Sequence, residues 1–304
     1  LDERLNYLVP IILFFFPLSM SMFFGFMQII NALVWSSSDS RLFFFSIIWI
    51  LFEFLRSFLF TGLPWNLIGY SWSWSLSFSQ AVSIFGIYGL GLITVFCSVC
   101  LFNFFYYNNK NIYLYISVLI LLLLFLFGQY RLMSNEVVYS NNKVRIVHTY
   151  FDQDMKWSKN GIGQIKQMGS TELLTVFPET SLGLGIDIKK NWLAGYIRKE
   201  NKNFYNSISL NGNVYDKKIL VPFGEFFPFS KYLVHFMPEH QFLQNTLTKG
   251  SKNQDFTKKI LPLICYEAIF PSFVRKNVDH ETELLVNISN DGWFGKFSGP
   301  KQHF

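Results

Sequence analysis

The first 130 residues of the chain have almost no charge. Five charged side chains occur between residues 5 and 130, namely Asp39, Arg41, Glu53, Arg56 and Lys110, so most of the 26 basic and 20 acidic residues lie after them. The chain is 51% hydrophobic and 19% aromatic, with a mean hydropathy of +0.26. These values exclude a protein that is soluble throughout and indicate a membrane protein. The composition of the first part is compatible with a lipid environment, and that of the second part with water.

Cysteine and histidine are scarce, and their spacing excludes several kinds of site. Cys97, Cys100 and Cys265 are too few for a disulfide framework. Cys97 and Cys100 lie in an apolar run without polar neighbours, so we expect them to pack rather than to bind metal or exchange electrons. The five histidines form no metal-binding motif, so we predict no metal and no cofactor. The net charge of +6 comes without a basic stripe interleaved with aromatics, which predicts no nucleic-acid partner.

Long apolar runs fill the first part of the chain. They occupy residues 7–35, 42–60, 80–105 and 112–128. A helix needs roughly 20 apolar residues to cross a hydrocarbon core. We therefore predict a transmembrane region at 1–130 with about four spanning helices. If Arg41 and Lys110 are cytoplasmic, as the positive-inside tendency suggests, the fourth helix ends outside the cytoplasm.

Two features of this region have more than one interpretation. Glu53 and Arg56 are three residues apart, so they share a helix face and could pair. Charges inside a bilayer are retained only where they pair or face a polar cavity, and a structural pair near the helix end explains them equally well. The uncharged segment TGLPWNLIGYSWSWSLSFSQ is dense in Trp, Tyr and Ser. Its composition favours an interfacial loop, and the alternative is the wall of a site that admits lipid.

The second part of the chain has a different pattern. Short β-rich runs occupy residues 144–150, 173–179, 217–225, 258–267 and 283–291. Polar stretches between them, such as 189–205, could hold helices. Strands that alternate with helical stretches predict a layered α/β domain at 143–304.

Reactive groups lie at or near the ends of three of these runs. Glu179 follows VFP, Lys217 precedes ILVPFG with Glu225 after it, and Cys265 ends LPLIC. A thiol is a weak nucleophile until a base or a cation activates it, and Glu and Lys can supply both. Each group alone has an ordinary explanation, because a lone Cys in a strand is usually a core residue. The residues by themselves leave both interpretations of Cys265 open.

Longer motifs carry a family resemblance. The order FPET, YDKKILVPFGEFFP, ICYE and NISNDGWFG resembles the carbon–nitrogen hydrolase (nitrilase) superfamily, which has a Glu–Lys–Cys triad. FEFLRSFLFTGLPWNLIGYSW and NDGWFGKFSGPKQHF are similar to the apolipoprotein N-acyltransferase family, and the similarity covers nearly the whole chain. The resemblance implies an integral membrane α-helical bundle fused to an α/β nitrilase-like domain, an αββα sandwich.

The resemblance also implies roles for individual residues. Glu179 matches the general base, Lys217 the lysine that stabilises the oxyanion, and Cys265 the nucleophile. Lys218 is an adjacent residue that the LVPFGE register excludes. The residues expected to support the site or bind substrate are Glu225, Tyr266, Glu267 and Trp157.

The implied reaction has two lipid substrates. Cys265 would attack the sn-1 ester of a phospholipid resembling phosphatidylethanolamine and become a thioester. The acyl chain would then pass to the α-amino group of the S-diacylglyceryl-cysteine at the N-terminus of an apolipoprotein. The expected protein is a monomer that crosses the bacterial inner membrane several times, with its catalytic domain on the periplasmic side.

The family also suggests what surrounds this stretch of chain. Its members have further helices before the equivalent of Leu1, and their nitrilase domain continues past the equivalent of Phe304. We therefore expect an internal fragment whose catalytic domain is incomplete at the C-terminal end. LDERLNY does not resemble a cleavable signal peptide.

Two other functions compete with acyl transfer. A membrane-tethered amidase or nitrilase would start with the same chemistry and pass the acyl group from a soluble amide to water. A catalytically idle scaffold would keep the shape only, and the intact Glu179, Lys217 and Cys265 count against it.

Overall fold

A computed structural model describes residues 9–34, 38–59, 62–107, 111–136, 138–139, 142–148, 157–183, 186–226, 246–251 and 256–294. The chain forms two compact units, Leu1–Val138 and Tyr139–Phe304. We call them the membrane unit and the polar unit.

The membrane unit is helical in the part that the structure describes. Its helices are α1 (Val9–Leu33), α2 (Ser40–Arg56), α3 (Leu76–Ser79), α4 (Val82–Tyr107) and α5 (Ile112–Ser134), with a 3-10 turn at Ile68–Trp72. Among the described helices α1, α4 and α5 are long and apolar enough to cross a membrane. Helix α2 has 17 residues, about 25 Å of helix. The count of four spanning helices stays a prediction.

Neighbouring long helices run in opposite directions. Helix α2 packs against α1 and α4, and α4 packs against α5. Ser117 in α5 donates to the Cys97 carbonyl in α4 at 3.3 Å. Near the other end of α5, the Gln129 amide donates to Ser77, which lies just before α4, at 2.8 Å. These contacts place the end of α5 beside the start of α4.

Glu53 and Arg56 hold the segment that follows α2. Glu53 Oε1 accepts hydrogen bonds from the Ile68 backbone N–H at 3.0 Å and from Trp49 Nε1 at 3.3 Å. Arg56 donates to the Trp65 carbonyl at 2.9 Å. In the described part of the chain the two charges form no direct ion pair. Each satisfies backbone groups of the Trp- and Tyr-rich loop, which would otherwise lack partners in lipid.

Within its described residues, the polar unit contains two sheets. The first has the order β1 (Val144–Ile146), β2 (Leu174–Val176), β3 (Trp192–Glu200), β4 (Asn203–Leu210) and β5 (Asn213–Asp216). Its first three strands are parallel, and β3, β4 and β5 form an antiparallel meander. The second sheet pairs β6 (Ile260–Ile264) with β7 (Leu284–Ile288) in parallel. The described helices are α6 (Lys159–Met168), between β1 and β2, and α7 (Pro271–Asn277), between β6 and β7.

The two sheets share one apolar core. Side chains from β3, β4 and β5 pack against side chains from β6 and β7. The buried members are Leu193, Ile208, Leu210, Tyr215, Ile264, Val286 and Ile288. A second cluster on α6, β3 and the loop after β2 includes Ile165, Phe177 and Trp192. Burial on both sides of the first sheet gives the layered α/β arrangement that the sequence predicts.

Two local predictions are wrong. The stretch 189–205, whose polar composition could hold a helix, contains β3 and the start of β4, which meet at a turn where Asn201 has φ 54°. The run 217–225, expected to be a strand, folds into turns after β5. The backbone N–H groups of Lys218 and Ile219 donate to the buried Glu267 carboxylate, so they are not available to pair with another strand.

Candidate active site

Three strand ends bring the predicted reactive groups together. Glu179 lies three residues after β2, Lys217 directly follows β5, and Cys265 directly follows β6. Lys217 Nζ lies 3.4 Å from Glu179 Oε1. The charges of Glu179 and Lys217 both act on the Cys265 thiol. These three side chains therefore form one cluster at the edges of the two sheets.

Lys217 is a buried ammonium group held by two carboxylates. Its side chain is 1% exposed, and Nζ donates to Glu225 Oε1 at 2.8 Å and to Glu179 Oε1. Burial favours the neutral amine, but the charges of Glu179 and Glu225 outweigh it and raise the pKa of Lys217 above its usual value. The site therefore keeps a positive charge that can face a developing oxyanion.

Asn206, on β4, joins the two carboxylates and was missed by the sequence analysis. Its Nδ2 donates to Glu179 Oε1 at 2.7 Å and to Glu225 Oε1 at 2.9 Å. Its backbone carbonyl accepts from the Lys217 N–H at 2.8 Å. In the sequence, the sign of this role is a single polar residue within the run FYNSIS. It points to the site only when this run is known to form a strand.

Glu225 reaches the site from a tight turn. Its second carboxylate oxygen, Oε2, accepts from the Val221 backbone N–H at 2.8 Å. Phe223 in the same turn has φ 62°, a left-handed conformation that is uncommon for a bulky residue. Because both oxygens of Glu225 have fixed donors, its carboxylate is oriented before any substrate arrives.

Cys265 sits at a strained junction between a strand and a turn. It directly follows β6 and begins the 3-10 turn Cys265–Ile269 with φ 49°. Such strain, about 1–3 kcal/mol, persists only where the surroundings fix the conformation, and it concentrates at functional sites. In the parallel register Ile264 pairs with Ile288, so Cys265 lies beside Ser289.

The thiol of Cys265 is neutral in the resting site. Burial and the Glu179 charge raise its pKa, while Lys217 and the nearby Ser289 hydroxyl lower it, and the result is a pKa of about 12. The Ser289 hydroxyl affects the thiol through proximity, because its oxygen makes no hydrogen bond of normal geometry within the described residues. A nucleophilic attack by this sulfur would therefore require a base that takes its proton.

Glu267 connects the turn that begins at Cys265 with the loop that follows Lys217. It is fully buried, and Oε2 accepts from the Ile264 N–H at 2.9 Å. Oε1 accepts from the Lys218 N–H at 2.6 Å, the Ile219 N–H at 3.2 Å and the Tyr215 hydroxyl at 2.9 Å. Burial raises the pKa of Glu267, although these four donors act in the opposite direction. The carboxylate fixes the distance between the two loops.

Tyr266 and Trp157 complete the predicted set. Tyr266 is 5% exposed and packs edge-on against Phe270, and burial raises its pKa to about 12 while the Lys217 charge opposes that shift. Trp157 is half-exposed, and its Nε1 donates to the Thr180 carbonyl at 3.2 Å, one residue after Glu179. All the residues predicted for the site thus lie in or beside one cluster. Their catalytic and supporting roles stay predictions.

The described part of the chain contains no group of three His, Cys, Asp or Glu side chains that could hold a metal ion. The cluster instead contains the parts of covalent acyl chemistry: a thiol, an adjacent carboxylate and a fixed cation.

Comparison with known proteins identifies both parts of the chain. Residues 3–100 match the family model of the apolipoprotein N-acyltransferase N-terminal domain, and residues 186–304 match the carbon-nitrogen hydrolase model. The second match contains Lys217 and Cys265. It confirms the predicted fold class, a membrane helical region fused to a nitrilase-like domain.

Several curated relatives are named after the same family as the first matching model. Proteins called apolipoprotein N-acyltransferase from Rickettsia bellii, Rickettsia prowazekii and Brucella melitensis are 33%, 32% and 30% identical to this chain. The alignments cover 97%, 86% and 99% of this chain. They cover 66%, 60% and 65% of the relatives, so the chain spans less than two thirds of their length.

Proposed function

Because the chain belongs to the apolipoprotein N-acyltransferase family, we propose that it transfers an acyl chain from a phospholipid to the N-terminal amine of a lipoprotein. The observation that carries the proposal is the buried Lys217 between Glu179 and Glu225, beside the thiol of Cys265. The apolar helices of the same chain supply a reason for lipid substrates, since they keep the enzyme in the membrane where these substrates reside.

In the first half-reaction Cys265 Sγ attacks the carbonyl carbon of the sn-1 ester, and Glu179 takes the thiol proton. The charge that develops on the carbonyl oxygen faces Lys217 and a backbone N–H near the nucleophile. The ester C–O bond then breaks, and the leaving oxygen takes the proton from Glu179. The products are a lysophospholipid and a thioester on Cys265.

In the second half-reaction a free amine takes the place of the leaving group. The α-amino group of an S-diacylglyceryl-cysteine attacks the thioester carbonyl and gives a proton to Glu179. Lys217 stabilises the second oxyanion in the same position. The C–S bond breaks, the sulfur regains its proton from Glu179, and the acyl chain ends as an amide.

Supporting residues hold this geometry. Asn206 donates to Glu179 and Glu225 accepts from Lys217, so both side chains are held in position. Glu267 fixes the turn that carries Cys265. Tyr266 and Trp157 form walls next to the nucleophile and the base. We propose a phosphatidylethanolamine-like donor, a monomer, and a periplasmic catalytic unit at 143–304 attached to a multi-pass inner-membrane region at 1–130.

The proposal is tested by trapping the acyl-enzyme. The full chain in vesicles is supplied with phosphatidylethanolamine labelled in its sn-1 chain, and the labelled peptide is mapped by mass spectrometry. We expect a hydroxylamine-sensitive adduct on Cys265 in the wild type and none in Cys265→Ala, with Cys97→Ala as the matched control that keeps the adduct. An absent adduct, or one that survives in Cys265→Ala, would overturn the mechanism.

A further inference from the structure

A cavity of about 580 Å³ lies within the membrane unit, between α1, α2 and α4. It contains none of the residues assigned to acyl transfer. Its size is within the range of small-molecule sites, about 300–1,000 Å³. Most of its wall is apolar, and the exceptions include one charged side chain, Arg41, and two amides, Gln28 and Asn103.

The polar groups gather at one end of this cavity. Arg41 is the second residue of α2, Gln28 lies five residues before the end of α1, and Asn103 lies four residues before the end of α4. Because these helices alternate in direction, all three positions fall near the same face of the membrane. Trp49 lies eight residues further along α2, about 12 Å deeper. The lining therefore changes from charged to polar to apolar with depth.

Asn103 is a buried amide on the wall of the cavity. Its side chain is 4% exposed. A buried amide in a hydrocarbon environment is costly unless its donors are satisfied. Since Asn103 lines the cavity, an acceptor in the cavity would satisfy it.

We propose that this cavity binds one anionic phospholipid as a permanent component of the membrane unit. The phosphate lies at Arg41, an ester carbonyl accepts from the Asn103 amide, and one acyl chain lies along Phe45, Trp49 and Val95. A phospholipid presents its charge, its esters and its chains in this order, which matches the order of the cavity lining. A basic side chain at a membrane surface also favours anionic over zwitterionic head groups.

This lipid is distinct from an acyl donor. Helix α5 begins at the face where α1 and α4 end, and it finishes at the opposite face, beside Ser77 and Ser83. The head group would therefore lie at the face away from the end of α5. If Arg41 is cytoplasmic, that face is the anionic inner leaflet.

The test uses the full chain in phosphatidylcholine vesicles that contain a minor fraction of phosphatidylglycerol. Trace phosphatidylglycerol with a photoactivatable group in its acyl chain is cross-linked and mapped, with photoactivatable phosphatidylcholine in a parallel sample. We expect cross-links at Phe45, Trp49 and Val95, stronger from phosphatidylglycerol. Arg41→Gln should reduce that preference about fivefold, the effect of one basic side chain at an anionic surface.

Three further variants separate recognition from folding. Arg41→Lys should restore the preference for phosphatidylglycerol, and Asn103→Leu should reduce cross-linking by both lipids equally. Arg131→Gln is the matched control, because Arg131 lies at the other end of the bundle and donates to Ser83. Equal labelling by both lipids, an unchanged preference in Arg41→Gln, or lining residues that no lipid reaches because other protein covers them would each overturn the proposal.

Discussion

Lys217 and Cys265 show how burial and charge compete at a single residue. Burial opposes the charged form of both side chains, yet only Lys217 overcomes it, because two carboxylates lie beside it. Cys265 has one cation nearby, and Glu179 and Glu225 cancel its effect. The resting site thus holds a charged lysine and a neutral thiol. This is the state that a carboxylate base requires, because the thiol must still have a proton to give.

The neutral thiol has a measurable consequence for alkylation. With a pKa of about 12, the thiolate fraction of Cys265 should rise about tenfold for each pH unit between about pH 7 and pH 9, without a plateau. Iodoacetamide labelling of Cys265, followed by mass spectrometry, measures this slope. A plateau near neutral pH would show that Cys265 is a stable thiolate and that no base is needed.

Substitutions of the charged neighbours should separate thiol reactivity from acyl transfer. Glu179→Gln removes a negative charge that raises the pKa of Cys265, so alkylation should become faster while acyl-enzyme formation is lost. Lys217→Met should slow both reactions. Lys218→Met is the matched control and should change neither, because the Lys218 side chain lies over the Tyr215 ring. Faster acylation in Glu179→Gln, or a larger effect at Lys218, would refute these assignments.

At the scale of elements, the motifs predict which residues meet but not how the chain brings them together. Glu179, Lys217 and Cys265 could be identified because each lies in a motif that resembles the family. Asn206 could not, because it directly follows the polar stretch 189–205, whose composition could hold a helix. Pairing of β4 with β3 and β5 decides the conformation there, and these partners come from other parts of the sequence. Local propensity is a weak guide where tertiary contacts prevail.

Gly195 on β3 is a close-approach position next to the loop that carries Glu179, the proposed base. A Cβ there would lie 2.6 Å from the Pro178 carbonyl oxygen and 2.8 Å from Glu179 Cα. Gly195→Ala should therefore lower the free energy of unfolding by about 1–3 kcal/mol through overpacking. It should also reduce acyl-enzyme formation by displacing Glu179. Thermal unfolding and the adduct assay measure the two effects.

The matched control for this change is Gly163→Ala in α6, where an added Cβ meets no atom within 4 Å. Alanine favours a helix over glycine by about 0.5–1 kcal/mol, so this variant should be slightly more stable and fully active. If Gly195→Ala behaved like Gly163→Ala, β3 would not constrain the position of Glu179.

At the scale of the whole molecule, charge predicts the division of the chain better than it predicts the number of spanning helices. The first part of the chain, which has few charges, falls in the membrane unit, and the charged part falls in the polar unit. The predicted limits, 1–130 and 143–304, stay predictions. Helix α2 is ambiguous because it is short and contains Glu53 and Arg56. Its charges are accommodated by contacts with the following loop, which composition alone does not reveal.

The presence of both units in one chain indicates which acceptor takes the acyl chain. A soluble-amide hydrolase has no need of apolar helices, whereas an enzyme with two lipid substrates does. Full chain in vesicles, loaded with labelled phosphatidylethanolamine, should pass the label to a peptide with an S-diacylglyceryl-cysteine at its N-terminus. The same peptide with an acetylated N-terminus is the control, because its nitrogen cannot attack the thioester. Label in the free-amine peptide alone supports acyl transfer. Label released mainly as free fatty acid, with ammonia from a soluble amide, would identify a hydrolase instead.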